Sequence, residues 1–151
     1  MWPGMEINGL PLHPLVVHAA VVFGPLAAVA AGLYVAVPRW RDRLRWPMLA
    51  LAGVATGAIV VAYLTGGTFL DSKPELRSSP QVAVHEHRGR QLLRVSLGFG
   101  AVAIAAGSVH ARSGAPRVVL DVLLAVAAVA LLVWVFLTGE AGARAVWGRS
   151  G

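Results

Sequence analysis

The chain of 151 residues contains no cysteine. This excludes disulfides, thiolate metal sites, cysteine-held iron–sulfur clusters, thioether-linked haem and cysteine nucleophiles. Charged residues are also scarce, at 13% of the chain, which is about half of what a soluble domain of this size carries. Hydrophobic residues make up 57%, and the mean hydropathy is +0.69. The composition therefore argues against a soluble globular protein and indicates one small unit that lies in a membrane.

Four apolar stretches are long enough, or nearly so, to cross the hydrocarbon layer, which takes roughly 20 residues of helix. Each is apolar nearly all round, as spanning helices are and amphipathic surface helices are not. The predicted fold is all-α, an integral membrane four-helix bundle with up-down-up-down topology that forms one domain over residues 1–151. The predicted spans cover about residues 15–37, 48–70, 92–109 and 118–137, and the third helix has the option of beginning near Val82.

Arginines are concentrated in the two short connections, between the first and second spans and between the third and fourth. These are Arg39, Arg41, Arg43, Arg45, Arg112 and Arg117. Because basic loops stay in the cytoplasm, both termini are predicted outside, in the inner (cytoplasmic) membrane of a bacterium. Further basic residues in the longer polar connection, from Thr68 to Gln91, weaken this contrast. The net charge of +6 is thus an indication of topology, and no nucleic-acid partner is expected for so apolar a chain.

Small residues recur at helical spacing in two of the spans. Gly53 and Gly57 form a Gly-xxx-Gly pair in the second span, and Gly98, Ala101 and Ala105 offer a similar surface in the third. Such patterns let helix backbones approach closely in lipid. We expect these surfaces to pack within the bundle, with a homodimer seam as the alternative.

A short internal repeat is visible in the chain. Val17-His18 and Val84-His85 stand near the first and third spans, and the segments 64–66 and 137–139 both read Leu-Thr-Gly at the ends of the second and fourth. The pattern indicates two helix hairpins related by a parallel repeat, with chance similarity as the alternative.

Four of the five histidines fall at the outer end of the predicted bundle: His13, His18, His85 and His87. Imidazoles from two helices can ligate haem iron from both faces, join a zinc or copper site, relay protons or hydrogen-bond a quinone. His18 is the one placed clearly within a span, where ionisable residues are functional candidates. We predict His18 and His85 as axial ligands of haem b, with Arg94 as a partner for a propionate. The alternative metal site is built from His13, His18 and His85.

Structural interpretations compete with these roles. His13 precedes Pro14, so it is expected in an extended or turn segment as a capping or interfacial residue. His87 lies in a charge run and is expected in water, and His110 is expected to stand alone at the cytoplasmic interface. Arg94 can snorkel to the head groups. Asp121 follows Arg117 by four residues, which predicts an intrahelical ion pair.

The segment from Asn8 to His18, N-G-L-P-L-H-P-L-V-V-H, resembles the opening of a bacterial family of small membrane proteins, domain of unknown function twenty-two thirty-one. The chain is also similar to that family in its four spans and in the histidine before the third span. A further similarity is the glycine-containing segment that follows the fourth span, which here holds Gly139, Gly142 and Trp147. The family has no settled activity. The resemblance implies that His13, His18 and His85 are the positions to test. The four-helix form of the family is also similar to membrane b-type cytochromes, in which histidines on two helices hold a haem.

Three functions remain open on the sequence alone. They are a haem b redox protein, a zinc or copper protein, and a non-catalytic membrane subunit or assembly factor with structural histidines. The expected partners are the lipid bilayer and either other membrane redox proteins or further copies of the chain. A stand-alone enzyme is not expected, because no nucleophile–base pair, H-E-x-x-H motif or phosphate-binding loop can be read from the chain.

Overall fold

Four long helices form most of the computed structural model, which describes residues 6–7 and 9–148. A small hairpin of two strands, β1 (Glu6–Ile7) and β2 (Leu10–Pro11), precedes them and turns at Gly9, whose φ is +77°. All four helices are long and apolar enough to cross a membrane. The all-α membrane bundle predicted from composition and apolar spans is therefore confirmed. The helices are α1 (Leu12–Ala36), α2 (Arg41–Ser72), α3 (Pro80–Ser108) and α4 (Ala115–Trp147).

Two of the helices, α3 and α4, extend well beyond their apolar spans at one end of the bundle. α2 continues to Ser72 and α3 begins at Pro80, so the polar connection between them shortens to residues 73–79. Proline suits the first turn of a helix, where no intrahelical partner needs its missing N–H, and Pro80 occupies that position in α3. The apolar pattern thus indicates where lipid begins, whereas the helices themselves continue into the polar region.

The helices alternate in direction and form a ring. α1 packs on α2 and α4, and α3 packs on α2 and α4, so α1 and α3 run parallel on one diagonal. We call the end where α1 and α3 begin the histidine end, because it holds His13 and His85. The opposite end holds Arg41 and Arg117, and we call it the arginine end.

Small residues fill the centre of the bundle and allow close approach of the helices. An added Cβ at Gly24 would lie 2.9 Å from Cγ2 of Val135 on α4, and one at Gly107 would lie 2.9 Å from Cδ1 of Leu49 on α2. Among the described residues, the buried core is largely alanine, and its largest fully buried side chains are Tyr34, Phe99, Met48, Leu124 and Leu131. Apolar side chains also cover much of the outside, as expected where lipid is the solvent.

The Gly-xxx-Gly pair of α2 does not pack within the bundle. Gly53 and Gly57 are exposed, and a Cβ added at either would meet nothing within 4 Å. The same holds for Gly98 on α3. The expectation of packing inside the bundle is therefore wrong for these glycines. Residue spacing identifies which positions share a helix face, but it does not say whether that face meets another helix of the same chain.

Candidate paired-histidine site

His13 is the second residue of α1, and its ring contacts α2. Nδ1 lies 3.0 Å from the carbonyl oxygen of Ala62 and 3.3 Å from Oγ1 of Thr65. Because a carbonyl oxygen only accepts, Nδ1 carries the proton and Nε2 keeps its lone pair. Gly66 lies under the ring, where an added Cβ would be 3.0 Å from Cε1, and Phe69 stacks on the imidazole at 5.9 Å between centroids.

The helical position of His13 differs from the extended segment that its proline neighbour predicted. Pro14 is the third residue of α1. In the first turn no intrahelical hydrogen bond requires the amide that proline lacks, so the helix tolerates it there. Because α1 begins before His13, the imidazole lies against α2 and forms a hydrogen bond between the two helices instead of capping α1.

His85 makes the matching contact between α3 and α4. Its Nδ1 lies 3.1 Å from the carbonyl oxygen of Thr138, so it also donates from Nδ1 and leaves the Nε2 lone pair unused by that bond. Gly142 lies against the ring, and an added Cβ there would be 3.1 Å from Cε1. Each hairpin therefore holds one histidine by the same means, a backbone carbonyl and a glycine on its second helix.

The two histidines are equivalent positions of the two hairpins. His13 and His85 stand the same number of residues before the last residues of their helices, Ala36 and Ser108. At about 1.5 Å per residue, both imidazoles lie at the same height in the bundle. Two parallel, diagonal helices thus bring one imidazole each to the same end of the bundle.

His18 does not join this pair. It is exposed, and its Nδ1 donates to the carbonyl oxygen of Pro14 in its own helix at 2.6 Å. Five residues along a helix rotate a side chain by about 140°, which directs His18 away from the face that carries His13. Across the part of the chain that the structure describes, no three histidine, aspartate or glutamate side chains form a group that could hold a metal ion.

Arg94 also lies away from the histidine pair. It is exposed on α3, nine residues after His85, which corresponds to about half a rotation of the helix. Arg88 is the arginine that contacts α4, because its Nη1 donates to the carbonyl oxygen of Leu137 at 2.8 Å and lies 3.5 Å from Oε2 of Glu140. Arg88 follows His85 by one helical turn, and this spacing could have indicated that both side chains lie on the same face of α3.

A buried polar network at the arginine end was not predicted. Tyr34 is fully buried, and its hydroxyl lies 2.9 Å from Nδ1 of His110 and accepts from Nη2 of Arg117 at 3.2 Å. Nε2 of His110 in turn lies 2.7 Å from Oδ1 of Asp42. The expectation that His110 stands alone is therefore wrong. Its partners come from α1, α2 and α4, which are distant in sequence, so the local pattern contained no sign of them.

Asp121 completes this network on α4. The predicted intrahelical pair is present, with Nε of Arg117 at 3.2 Å from Oδ1 of Asp121, and Arg41 of α2 binds the same carboxylate. Arg41 also donates from Nε to the carbonyl oxygen of Tyr34 at 3.0 Å. One carboxylate therefore serves two arginines, and the network ties α1, α2 and α4 together at this end.

These features describe a small integral membrane protein of two helix hairpins, each with one histidine bound to the backbone of its second helix. The family described as "Predicted membrane protein (DUF2231)" is matched over residues 9–150, and the chain belongs to it. No curated protein and no solved structure matches the chain.

Proposed function

We propose that the protein binds one haem b between its two hairpins, with His13 and His85 as axial ligands, and serves as a membrane electron carrier. The observation that carries this proposal is the contact of Nδ1 in each ring with a backbone carbonyl oxygen, at 3.0 Å in His13 and 3.1 Å in His85. Histidines that ligate metals usually donate their other ring N–H to a carbonyl or carboxylate, which orients the ring and directs the free lone pair at the metal. His13 and His85 both have Nδ1 placed in this way, against Ala62 and Thr138.

The number of available ligands favours haem over zinc or copper. A porphyrin supplies four nitrogens, so two imidazoles complete the coordination of its iron. Zinc takes three or four protein ligands, and the described residues offer no group of that size. For this reason the haem ligands are proposed as His13 with His85, in place of His18 with His85 and Arg94.

When bound, the haem would supply one-electron redox chemistry. The residues of the chain have a separate task, which is to hold two imidazoles in one orientation at the same height. Gly66 and Gly142 contribute by admitting the rings close to the backbones of α2 and α4. Phe69 adds an apolar surface over the His13 ring.

The arginine end is proposed to face the cytoplasm of a bacterial cell. Arg39, Arg43 and Arg45 lie in or beside its first connection, and Arg112 lies in its second. This density of basic residues in two short connections favours the cytoplasmic side. The histidine pair would then lie near the outer surface, where it can exchange electrons with a partner outside the cell membrane.

A second candidate is a non-catalytic membrane subunit in which both histidines are structural. It is supported by the same hydrogen bonds, because each one also ties the two helices of a hairpin together. The two candidates differ in whether anything occupies the Nε2 positions.

The test is to purify the protein in detergent after expression with ample haem, and to measure its visible spectrum and the ratio of haem to protein. We expect a Soret band that shifts on reduction. It should be lost in His13→Ala and in His85→Ala and retained in the matched controls His18→Ala and His87→Ala, which change exposed histidines on the same two helices.

A colourless protein would refute the haem proposal. Stoichiometric zinc or copper in such a protein would favour a metal site that recruits a further ligand. Neither haem nor metal, together with lower stability in both His13→Ala and His85→Ala, would favour the structural candidate. Haem that survives both changes would contradict the ligand assignment.

A further inference from the structure

Arg94 carries a positive charge on the outer face of α3. It is exposed, it follows Arg90 by one turn, and it lies inside the apolar part of the helix. None of the hydrogen bonds or ion pairs found among the described residues involves it. A charged side chain on an apolar helix surface is costly, and it either extends to the lipid head groups or pairs with a partner inside the membrane.

Two exposed glycines of α2 lie beside the contact between α2 and α3. α2 and α3 contact each other where Thr56 Oγ1 donates to the carbonyl oxygen of Ser96 at 3.2 Å. Gly53 and Gly57 lie one turn before and one residue after Thr56, on the exposed side of this contact, and a Cβ at either would meet open space. A glycine inside a helix carries a stability cost, and here no packing within the described chain accounts for it.

α3 contributes exposed residues to the same side of the bundle. Leu97 and Ala101 follow Arg94 by one and two turns and are exposed on the same face. The small residues of α2 and the side chains of α3 therefore form a surface along which a further helix can approach closely. Arg94 lies at the end of this surface nearer the histidine end.

A second copy of the chain has no carboxylate to offer Arg94. All acidic residues lie at the two ends of the bundle: Asp42 and Asp121 at the arginine end, and Glu6, Asp71, Glu75, Glu86 and Glu140 at the histidine end. In two copies with the same orientation in the membrane, equivalent residues lie at the same depth, so the acidic residues of the second copy also lie at the ends of the bundle. The charge of Arg94 is thus complementary to a carboxylate that this chain does not place at that depth.

We propose that this face docks a transmembrane helix of a different membrane protein, whose aspartate or glutamate pairs with Arg94 while its backbone packs on Gly53 and Gly57. This surface is separate from the histidine pair, so the proposal does not depend on the haem assignment. It gives Arg94 a partner and the two exposed glycines a packing role.

The probe is a synthetic transmembrane peptide of leucine and alanine with one glutamate at the depth of Arg94. Its association with the full-length protein is measured by fluorescence energy transfer in phosphatidylcholine vesicles. We expect the glutamate peptide to bind about tenfold more tightly than the same peptide with glutamine. This preference should vanish in Arg94→Gln and persist in the control Arg90→Gln, which removes an arginine already paired with Glu86.

Two further variants test the geometry. Gly57→Ile adds bulk to this surface without a clash inside the bundle, because a Cβ there meets nothing within 4 Å. It should abolish binding, whereas Val126→Ile on the exposed face of α4 should leave it unchanged. Arg94→Glu should lose the glutamate peptide and bind a lysine peptide in its place.

Equal binding of the glutamate and glutamine peptides would overturn the proposal, and so would a preference that is independent of Arg94. Self-association of the chain that Gly57→Ile abolishes, without any peptide preference, would assign the face to a second copy. If Arg94→Gln changes only the amount of phosphatidylglycerol retained in native mass spectra, a lipid head group would be the occupant, and the proposal would be wrong.

Discussion

A methyl group added at Gly66 perturbs the His13 ring without changing the ring itself. The new Cβ would lie 3.0 Å from Cε1 of His13 and 3.5 Å from Nδ1. Carbon atoms pack best at about 3.5–4.0 Å, so the imidazole has to move by a few tenths of an ångström. Phe69 stacks on the ring and restricts this movement. The displacement is therefore expected to weaken the hydrogen bond from Nδ1 to Ala62.

The neighbouring Gly67 provides a matched control. It lies in the same helix, and a Cβ added there would meet nothing within 4 Å. Both Gly→Ala changes gain the same helix propensity, up to about 1 kcal/mol. Only Gly66→Ala weakens the hydrogen bond, which contributes about 1 kcal/mol. We therefore expect Gly67→Ala to be more stable than Gly66→Ala by about 1 kcal/mol, with Gly66→Ala close to the unmodified protein.

The assay is reversible unfolding in mixed detergent micelles, followed by circular dichroism, with the free energy of unfolding as the readout. The second hairpin offers an independent repeat of the experiment. A Cβ added at Gly142 would lie 3.1 Å from Cε1 of His85, whereas a Cβ added at the control position Gly139 would meet nothing within 4 Å. If alanine is equally tolerated at both members of each pair, the rings are not held against α2 and α4, and the reasoning about the site fails.

Three other predictions concern the arginine end and the orientation. Asp121→Asn should lower the free energy of unfolding by about 2–3 kcal/mol, because the buried Arg117 loses its carboxylate; a change below about 0.5 kcal/mol in the same assay would contradict this. Tyr34→Phe should lower it by about 1 kcal/mol through loss of the buried hydroxyl, and an unchanged value would mean that the hydrogen bonds of this hydroxyl contribute little. Since the chain has no cysteine, single cysteines at Arg43 and Ser79 can be labelled in intact cells, and they should react from opposite sides of the membrane. Labelling from the same side would contradict the proposed orientation.

The sequence was a good guide to the number of helices and a poorer guide to their lengths. Apolar runs reveal spans because lipid excludes charge, and all four were predicted. The extension of α3 back to Pro80 was harder to predict, since a helix outside the lipid needs no apolar pattern. The exposed positions of Gly53 and Gly57 were also missed, because spacing along one helix contains no information about its neighbours.

The histidine pair was predicted only in part. The sequence indicated that imidazoles from α1 and α3 come to one end. The repeated Leu-Thr-Gly segments include some of the residues that contact them: Thr65 and Gly66 for His13, and Thr138 for His85. It favoured His18 over His13, because Pro14 suggested a turn and His18 lay clearly within the apolar span. The register of α1 against α2 determines which of the two histidines contacts α2, and that register is set by packing along the whole helix and not by the local motif.

The central claim is that His13 and His85 ligate the same iron, one from each hairpin. Electron paramagnetic resonance of the oxidised, haem-loaded protein tests it most directly, because two axial imidazoles give a low-spin signal. We predict a low-spin signal from one haem per chain that becomes high-spin, or disappears with the haem, in His13→Ala and in His85→Ala. It should be unchanged in His18→Ala. A low-spin signal that persists without His13 or His85, or that is lost with His18, would contradict the assignment.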